Sequence, residues 1–245
     1  MVSIFKMKKL SLNDFFNKVG YDWKKDKKAI ETICHYTKTR VNPKINKVRL
    51  GFGMEQTFLI KAIAEWMNAK SFFEIGTGRG TACYALSLVP SIENIHTVDI
   101  LGFNQKFATA IGYKPANISL KGIRDLIPFK EKDKVHFHHR CEFPHMRVAL
   151  KDKFDLAFID GDHTKKKVIL EDYAVCQDLL NDNGIILWDD YDPDQFAVKG
   201  IVEEIAKNNP DLDTVLIEQR GHLFPDKPAE SGKGVVLMKR GKLQI

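Results

Sequence analysis

Three groups of residues in this sequence have the types and spacing that chemistry needs. The first is the run Phe73-Glu74-Ile75-Gly76-Thr77-Gly78-Arg79-Gly80-Thr81, with glycine at alternate positions. Glycine permits a tight turn and lets a ligand approach the backbone, and a helix starting after the loop offers unpaired N–H groups. The second is Asp99, which closes the next short apolar run and is placed to accept hydrogen bonds from both hydroxyls of a ribose. Loop and acid together predict a site for a nucleoside ligand. The third group is acidic: Asp160 in Ile159-Asp160-Gly161-Asp162-His163, and the pair Asp189-Asp190 after Leu187-Trp188. If neighbouring parallel strands carry them, these carboxylates end about 5 Å apart. They then repel strongly unless a cation lies among them. An all-oxygen set at Asp160, Asp189 and Asp190 selects a hard divalent ion, Mg²⁺ first, with Mn²⁺ or Ca²⁺ as alternatives.

Such residues act together only if strands deliver them to one edge. Short apolar runs at 71–75, 95–99, 134–138, 154–160 and 184–188 alternate with helix-length segments. The clearest helix covers 165–180 and stops before the turn Asn181-Asp182-Asn183-Gly184; others cover 54–68 and 197–208. This alternation predicts an α/β fold, a parallel sheet with helices on both faces whose ligands bind beyond the carboxyl ends of the strands. Residues 214–218 and 234–239 read as strands with no helix between them, so the last strand runs antiparallel. Their connecting loop, 219–233, carries His222, Phe224 and Pro225 and overhangs the ligand edge, as a gate or an ordinary hairpin loop. The stretch 102–128 is a second cover or a piece of core.

Composition fits a folded chain: of 245 residues, 44% are hydrophobic and 29% charged, which excludes disordered, collagenous and coiled-coil classes. No apolar run nears the roughly 18 residues of a membrane span, and the first residues lack the apolar stretch of a signal peptide, so a cytoplasmic location is expected. The four cysteines show no paired spacing, arguing against a disulfide framework. His136, His138, His139, Cys141 and His145 cluster without repeating a zinc spacing. The net charge of +6 is uneven: residues 1–50 hold 13 Lys/Arg against 4 Asp/Glu. With the Asn/Pro/Lys stretch at 40–47, this divides the chain into a basic helical cap, 1–50, and a main domain, 51–245. The basic cap is a solvated helical face or a binding surface for an anionic partner.

An acid followed by G-x-G-x-G, with a second acid ending the next strand, resembles the class I S-adenosylmethionine-dependent methyltransferases over about residues 52–240. The dinucleotide fingerprint needs Gly or Ala where Thr81 stands, which disfavours NAD. The resemblance implies a Rossmann-like, seven-stranded, mostly parallel sheet with an antiparallel last strand and an N-terminal helical cap. It implies S-adenosylmethionine as cofactor, with Glu74, Gly76, Thr77, Gly78 and Gly80 around its methionine part, Asp99 on its ribose, Asp160 beside it, and the adenine near residues 140–142. The strand-end acids are similar to those of metal-dependent small-molecule O-methyltransferases. Ile-Asp-Gly-Asp-His is closest to the sugar-modifying branch, which implies His163 as general base beside Asp160, with Asp162 in reserve. The expected acceptor is a hydroxyl of a small molecule, a sugar or a phenol. The alternatives are an RNA ribose 2′-O-methyltransferase drawing on Asp160, Lys199 and Glu218, and a non-catalytic cofactor-binding module. The fourth strand lacks N/D-P-P-F/Y and the chain lacks Pro-Cys, which argues against amino-group and cytosine-C5 methylases of nucleic acid and leaves the ribose 2′-O-methyltransferase as the nucleic-acid alternative. A homo-oligomer is compatible with all of these readings.

Overall fold

The computed structural model describes residues 7–42, 44–106, 117–151, 153–224 and 226–245. Residues 1–6 of the cap, 107–116 of the 102–128 stretch and Pro225 of the overhanging loop lie outside them. Strand β1 (Lys8–Ser11) runs straight into α1 (Leu12–Val19), because Ser11 accepts the Asp14 N–H and Gly20 closes the helix in a left-handed conformation. Helix α2 (Trp23–Tyr36) starts on Asp22, whose side chain takes the Lys24 N–H. A small hairpin of β2 (Val41–Asn42) and β3 (Lys47–Val48) follows, and then the largely buried α3 (Glu55–Trp66). The alternating part is β4 (Ser71–Ile75), α4 (Thr81–Ser87), β5 (Asn94–Asp99), α5 (Leu120–Leu126), β6 (Val135–His139) and α6 (Phe143–Ala149). It continues with β7 (Phe154–Ile159), α7 (Lys166–Leu179), β8 (Leu180–Tyr191), α8 (Val198–Asn208), β9 (Leu212–Glu218) and β10 (Gly234–Arg240).

Eight strands make one sheet in the order β1-β9-β10-β8-β7-β4-β5-β6. Strand β10 is antiparallel to β8 and to β9, and the other pairs are parallel. The eighth strand, beyond the seven expected, is β1. It comes from the segment read as helical, and its four residues alternate in no apolar pattern; pairing with β9, from Lys8 opposite Val215 to Ser11 opposite Glu218, defines it. The Asn181–Gly184 turn survives as a bulge inside β8. Phe154 faces Leu180 while Leu156 faces Ile185, so the residues between loop out, with the Asn183 N–H on the Asn181 side chain.

Helices α1 to α5 pack one core against the sheet and α6 to α8 another. Strand β4 is buried along its length, with Phe72 in the first core and Phe73 in the second. Each such phenylalanine contributes about 1.5–3 kcal/mol of burial, which makes β4 the fixed centre of the sheet. Chain order reverses between β4 and β7, opening a crevice at their carboxyl ends. Strands β8, β7, β4 and β5 are consecutive neighbours, so the acidic groups and the glycine loop meet at that one edge. Among the described residues, no helix is long and apolar enough to cross a membrane.

Candidate active site

The glycine loop is sewn to both neighbouring strands. The Gly76 and Thr77 N–H groups donate to the Val98 carbonyl at 2.8 and 3.2 Å, and the Asp160 N–H donates to the Ile75 carbonyl at 2.8 Å. Gly76, at φ +100°, admits no side chain: a Cβ would stand 1.9 Å from the Asp160 carbonyl oxygen. Gly78 is also left-handed, but no atom lies within 4 Å of where its Cβ would point. That open space belongs to a cavity of about 820 Å³. Asp99 borders it, one carboxylate oxygen accepting the Gly78 N–H at 3.0 Å and the other the Leu101 N–H at 2.9 Å. Lone pairs remain on both oxygens for ribose hydroxyls.

The expected cofactor residues divide into two sets. Gly76, Gly78, Asp99 and Asp160 line the cavity; Glu74, Thr77 and Gly80 are not among its lining residues and support it from within. Glu74 accepts the Thr97 hydroxyl at 2.6 Å, and Thr97 lies 2.7 Å from Thr77, so the loop is braced by a buried chain ending in a carboxyl group. Burial pushes Glu74 up to about 8, with the Thr97 hydrogen bond opposing and the charge of Asp99 adding.

Beside Asp99, Ile100 is 71% exposed, an apolar surface for a flat ring at the cavity edge. Arg140 lines the same end, where the adenine was expected. Its guanidinium is held by Glu171 at 2.9 Å and Asp172 at 2.5 Å, with the Phe143 ring 4.8 Å away. Cys141 instead lines a second cavity of about 490 Å³, which shares Ile100 and Arg140 with the first.

At the other end, the carboxyl termini of β7 and β8 bring the acids together. His163 Nε2 lies 3.3 Å from one oxygen of Asp190 and 3.6 Å from Asp160, and its ring is 5.2 Å from Phe196. Ligand atoms of Asp160, His163 and Asp190 all lie within 4.8 Å of one another, the one such group among the described residues. Asp189, the third expected ligand, is 8% exposed and falls outside that group, its charge acting on Asp160. Removal from water, then the charges of Asp189 and Asp190, hold Asp160 well above the usual carboxylate range. Burial and Asp190 raise Asp189 as well, against a backbone hydrogen bond, Arg220 and His163. Arg220 donates to the outer oxygen of Asp190 at 2.7 Å, and Asp190 itself is left-handed at φ +52°, a rare conformation for a side-chain-bearing residue. Asp162 has another task. It accepts the Lys165 and Thr164 N–H groups, which pull it down to about 2, and at that value it is a weak base.

Residues 73–191 match the family model described as a methyltransferase domain. The chain is similar to the solved O-methyltransferase TomG from Streptomyces achromogenes, in complex with S-adenosylmethionine: 16% identity, TM-score 0.56, 87% of this chain and 90% of that one. It is similar also to an O-methyltransferase from Bacillus cereus in complex with S-adenosylhomocysteine (14%, TM-score 0.54, 91% and 94%). A third likeness is to the S-adenosylhomocysteine-bound methyltransferase PaMTH1 from Podospora anserina (18%, TM-score 0.51, 99% and 100%). No curated protein sequence matches the chain. The chain shares the fold of these structures, a mostly parallel sheet with helices on both faces.

Several contributors to the candidate site carry no signal in the sequence. Ile100 had one that could have been used, an apolar residue just beyond a strand-ending acid. Thr39, in the N-terminal segment, and Arg220, 30 residues beyond Asp190, reach the site only through tertiary packing. The loop 219–233 is pinned: Phe224 packs against Trp23 and Phe58, and the Gly221 N–H donates to buried Glu55 at 2.9 Å. Lys199 pairs with Glu203 at 3.3 Å and Glu218 accepts the Gly232 N–H at 2.6 Å, so neither joins Asp160 in the cavity lining.

Proposed function

We propose that this methyltransferase methylates a hydroxyl oxygen of a small molecule, a sugar before a phenol, with a divalent cation held by Asp160, Asp189 and Asp190. The observation that carries the reading is the approach of Asp160, His163 and Asp190 to within 4.8 Å of one another, where Asp160 and His163 line the cavity bordered by Gly76 and buried Asp189 adds its charge to Asp160. The donor set fits a hard ion. Asp160 and Asp189 are raised first by burial and then by neighbouring carboxylate charge, which a cation relieves, and Arg220 holds one oxygen of Asp190 while the other faces His163. O-methyltransferases among the similar folds support the choice of oxygen.

S-adenosylmethionine supplies an electrophilic methyl group, and a bound divalent ion lowers the pKa of an acceptor hydroxyl. The chain's residues do the rest. Asp99 would hold the ribose and the glycine loop the methionine part. His163 Nε2 takes the hydroxyl proton as the acceptor oxygen forms its bond to the methyl carbon and the carbon–sulfur bond breaks. Asp160 and Asp190, at 3.6 and 3.3 Å, then stabilise the imidazolium. The test is turnover with a panel of sugar and phenol acceptors, with Mg²⁺ and with excess chelator, read beside the melting temperature. Chelation is expected to abolish turnover, and Mg²⁺ to raise the melting temperature of the parent but not of Asp160→Asn. Full turnover in chelator would exclude the ion.

A further inference from the structure

We infer that Arg220 is a positioning residue for the acid cluster: from the loop after β9 it holds Asp190 in the orientation that faces His163. This deepens the functional reading above and rests on it, since it names what sets the proton-accepting histidine in place. Asp190 stands between the two. Arg220 Nη2 donates to one of its carboxylate oxygens at 2.7 Å, and the other oxygen lies 3.3 Å from His163 Nε2. The backbone at Asp190 is left-handed, φ +52°, a conformation that a side-chain-bearing residue keeps only where its surroundings fix it. Arg220 supplies such a fixture. Its bond to Asp190 is charge-assisted, and the Asp190 side chain is largely buried, so water competes weakly for it.

The arginine is itself held by two further acids. Its Nη1 lies 3.7 Å from buried Asp192 and 3.6 Å from Glu230, and its carbonyl accepts the Glu230 N–H at 3.0 Å. A planar guanidinium addresses Asp190 with one nitrogen and Asp192 with the other, which the single ammonium of a lysine does not reproduce. The next residues anchor the loop to α3 and α2, through the Gly221 N–H on Glu55 and Phe224 against Phe58 and Trp23. A simpler role for Arg220 is a pin that ties this loop to the end of β8, and Lys233 shows what a pin alone looks like. At the other end of the same loop, Lys233 lies 3.1 Å from Asp192 and 3.1 Å from Asp194, and its ion pairs are with those two acids. Arg220 differs in reaching past Asp192 to the acid that faces His163. It is not among the residues lining the cofactor cavity, so its effect on transfer runs through Asp190.

Two readouts on Arg220→Met, Arg220→Lys and Lys233→Met test this. The first is the nitrogen NMR signal of the His163 ring in protein labelled at its histidines, assigned by its loss in His163→Gln. Arg220→Met is expected to move that signal, Arg220→Lys to bring it part of the way back, and Lys233→Met to leave it in place. The second is turnover: a fall of about 10- to 100-fold in Arg220→Met, partly recovered in Arg220→Lys, and a change within about threefold in Lys233→Met. S-adenosylhomocysteine affinity should stay within about threefold throughout, which also shows that each variant is folded. If Arg220→Met does not fold, the smaller displacement of the His163 signal in Arg220→Lys decides alone. An unmoved His163 signal in the Arg220 variants overturns the inference, and so does a Lys233→Met that reproduces their losses, since Arg220 is then only a pin. Absence of turnover by the parent with every acceptor, while the His163 signal still follows Arg220, overturns the functional reading and leaves the positioning role standing.

Discussion

The two ends of the cavity are built from the same part, an aspartate at the carboxyl end of a parallel strand, and they hold it in opposite ways. Asp99 ends β5 with each oxygen on a backbone N–H, so its charge is met before any ligand arrives. Asp160 follows β7 among like charges, with its proton affinity driven up by burial and then by the charges of Asp189 and Asp190. A pre-satisfied acid suits binding, because the site is organised in advance and little is lost on occupation. An acid in a crowd of acids suits chemistry, because its charge state responds to whatever cation or proton enters. The contrast assigns tasks to the two ends without knowledge of the acceptor.

The largest expected effect separates the ends outright. Asp160→Asn should lower turnover by about 10³-fold or more, yet move S-adenosylhomocysteine affinity by less than about threefold. The amide keeps the shape and removes a charge that its surroundings oppose, so the melting temperature should hold or rise. Asp189→Asn should follow the same pattern, since it removes a neighbouring charge that acts on Asp160. Parallel loss of turnover and cofactor affinity would make the two ends one unit and end the comparison.

The complementary change is smaller. Asp99→Ala should weaken S-adenosylhomocysteine by about 10- to 100-fold, as expected for losing hydrogen bonds to a charged acceptor. Turnover at saturating cofactor should stay within about threefold of the parent. Steady-state kinetics at several cofactor concentrations reads both quantities. A fall in turnover that saturation does not restore would give Asp99 a part in the transfer step.

How far each end could be read from sequence follows from the same contrast. Asp99 and the glycine loop are local features: a strand, a turn that only glycine fits at Gly76, and an acid at the next strand end. Asp160 and Asp189-Asp190 were legible for the same reason, as each closes an apolar run. What escaped was whatever arrives from elsewhere. Arg220 reaches Asp190 from the loop after β9, and Thr39 arrives from the N-terminal segment, with no periodicity pointing to either. β1 was invisible because an exposed edge strand of four residues buries too little to leave a pattern. The placement of Asp189 beside Asp160, with His163 closing the group instead, depends on the left-handed turn at Asp190, which no run of residue types announces.

The smallest effect concerns the sheet from which the nucleoside end hangs. Three residues before Asp99 on β5, His96 packs between strands, its Nδ1 2.8 Å from His138 Nε2, the two rings stacked 4.9 Å apart. Burial first, then the neighbouring histidines, lower His96 to about 4, and His136 moves in the same direction. In the unfolded chain a histidine titrates near 6.5. Between those two values the unfolded state binds the proton and the folded state does not, so stability falls as the pH drops from about 6.5 toward 4 and is restored above 6.5. The urea midpoint should therefore decline over that window in the parent and decline less in His96→Gln. Because β5 carries Asp99, S-adenosylhomocysteine binding should soften over the same window in the parent and less in the variant. A variant whose midpoint falls as steeply as the parent's would move the acid sensitivity away from the histidine stack and uncouple it from the nucleoside end.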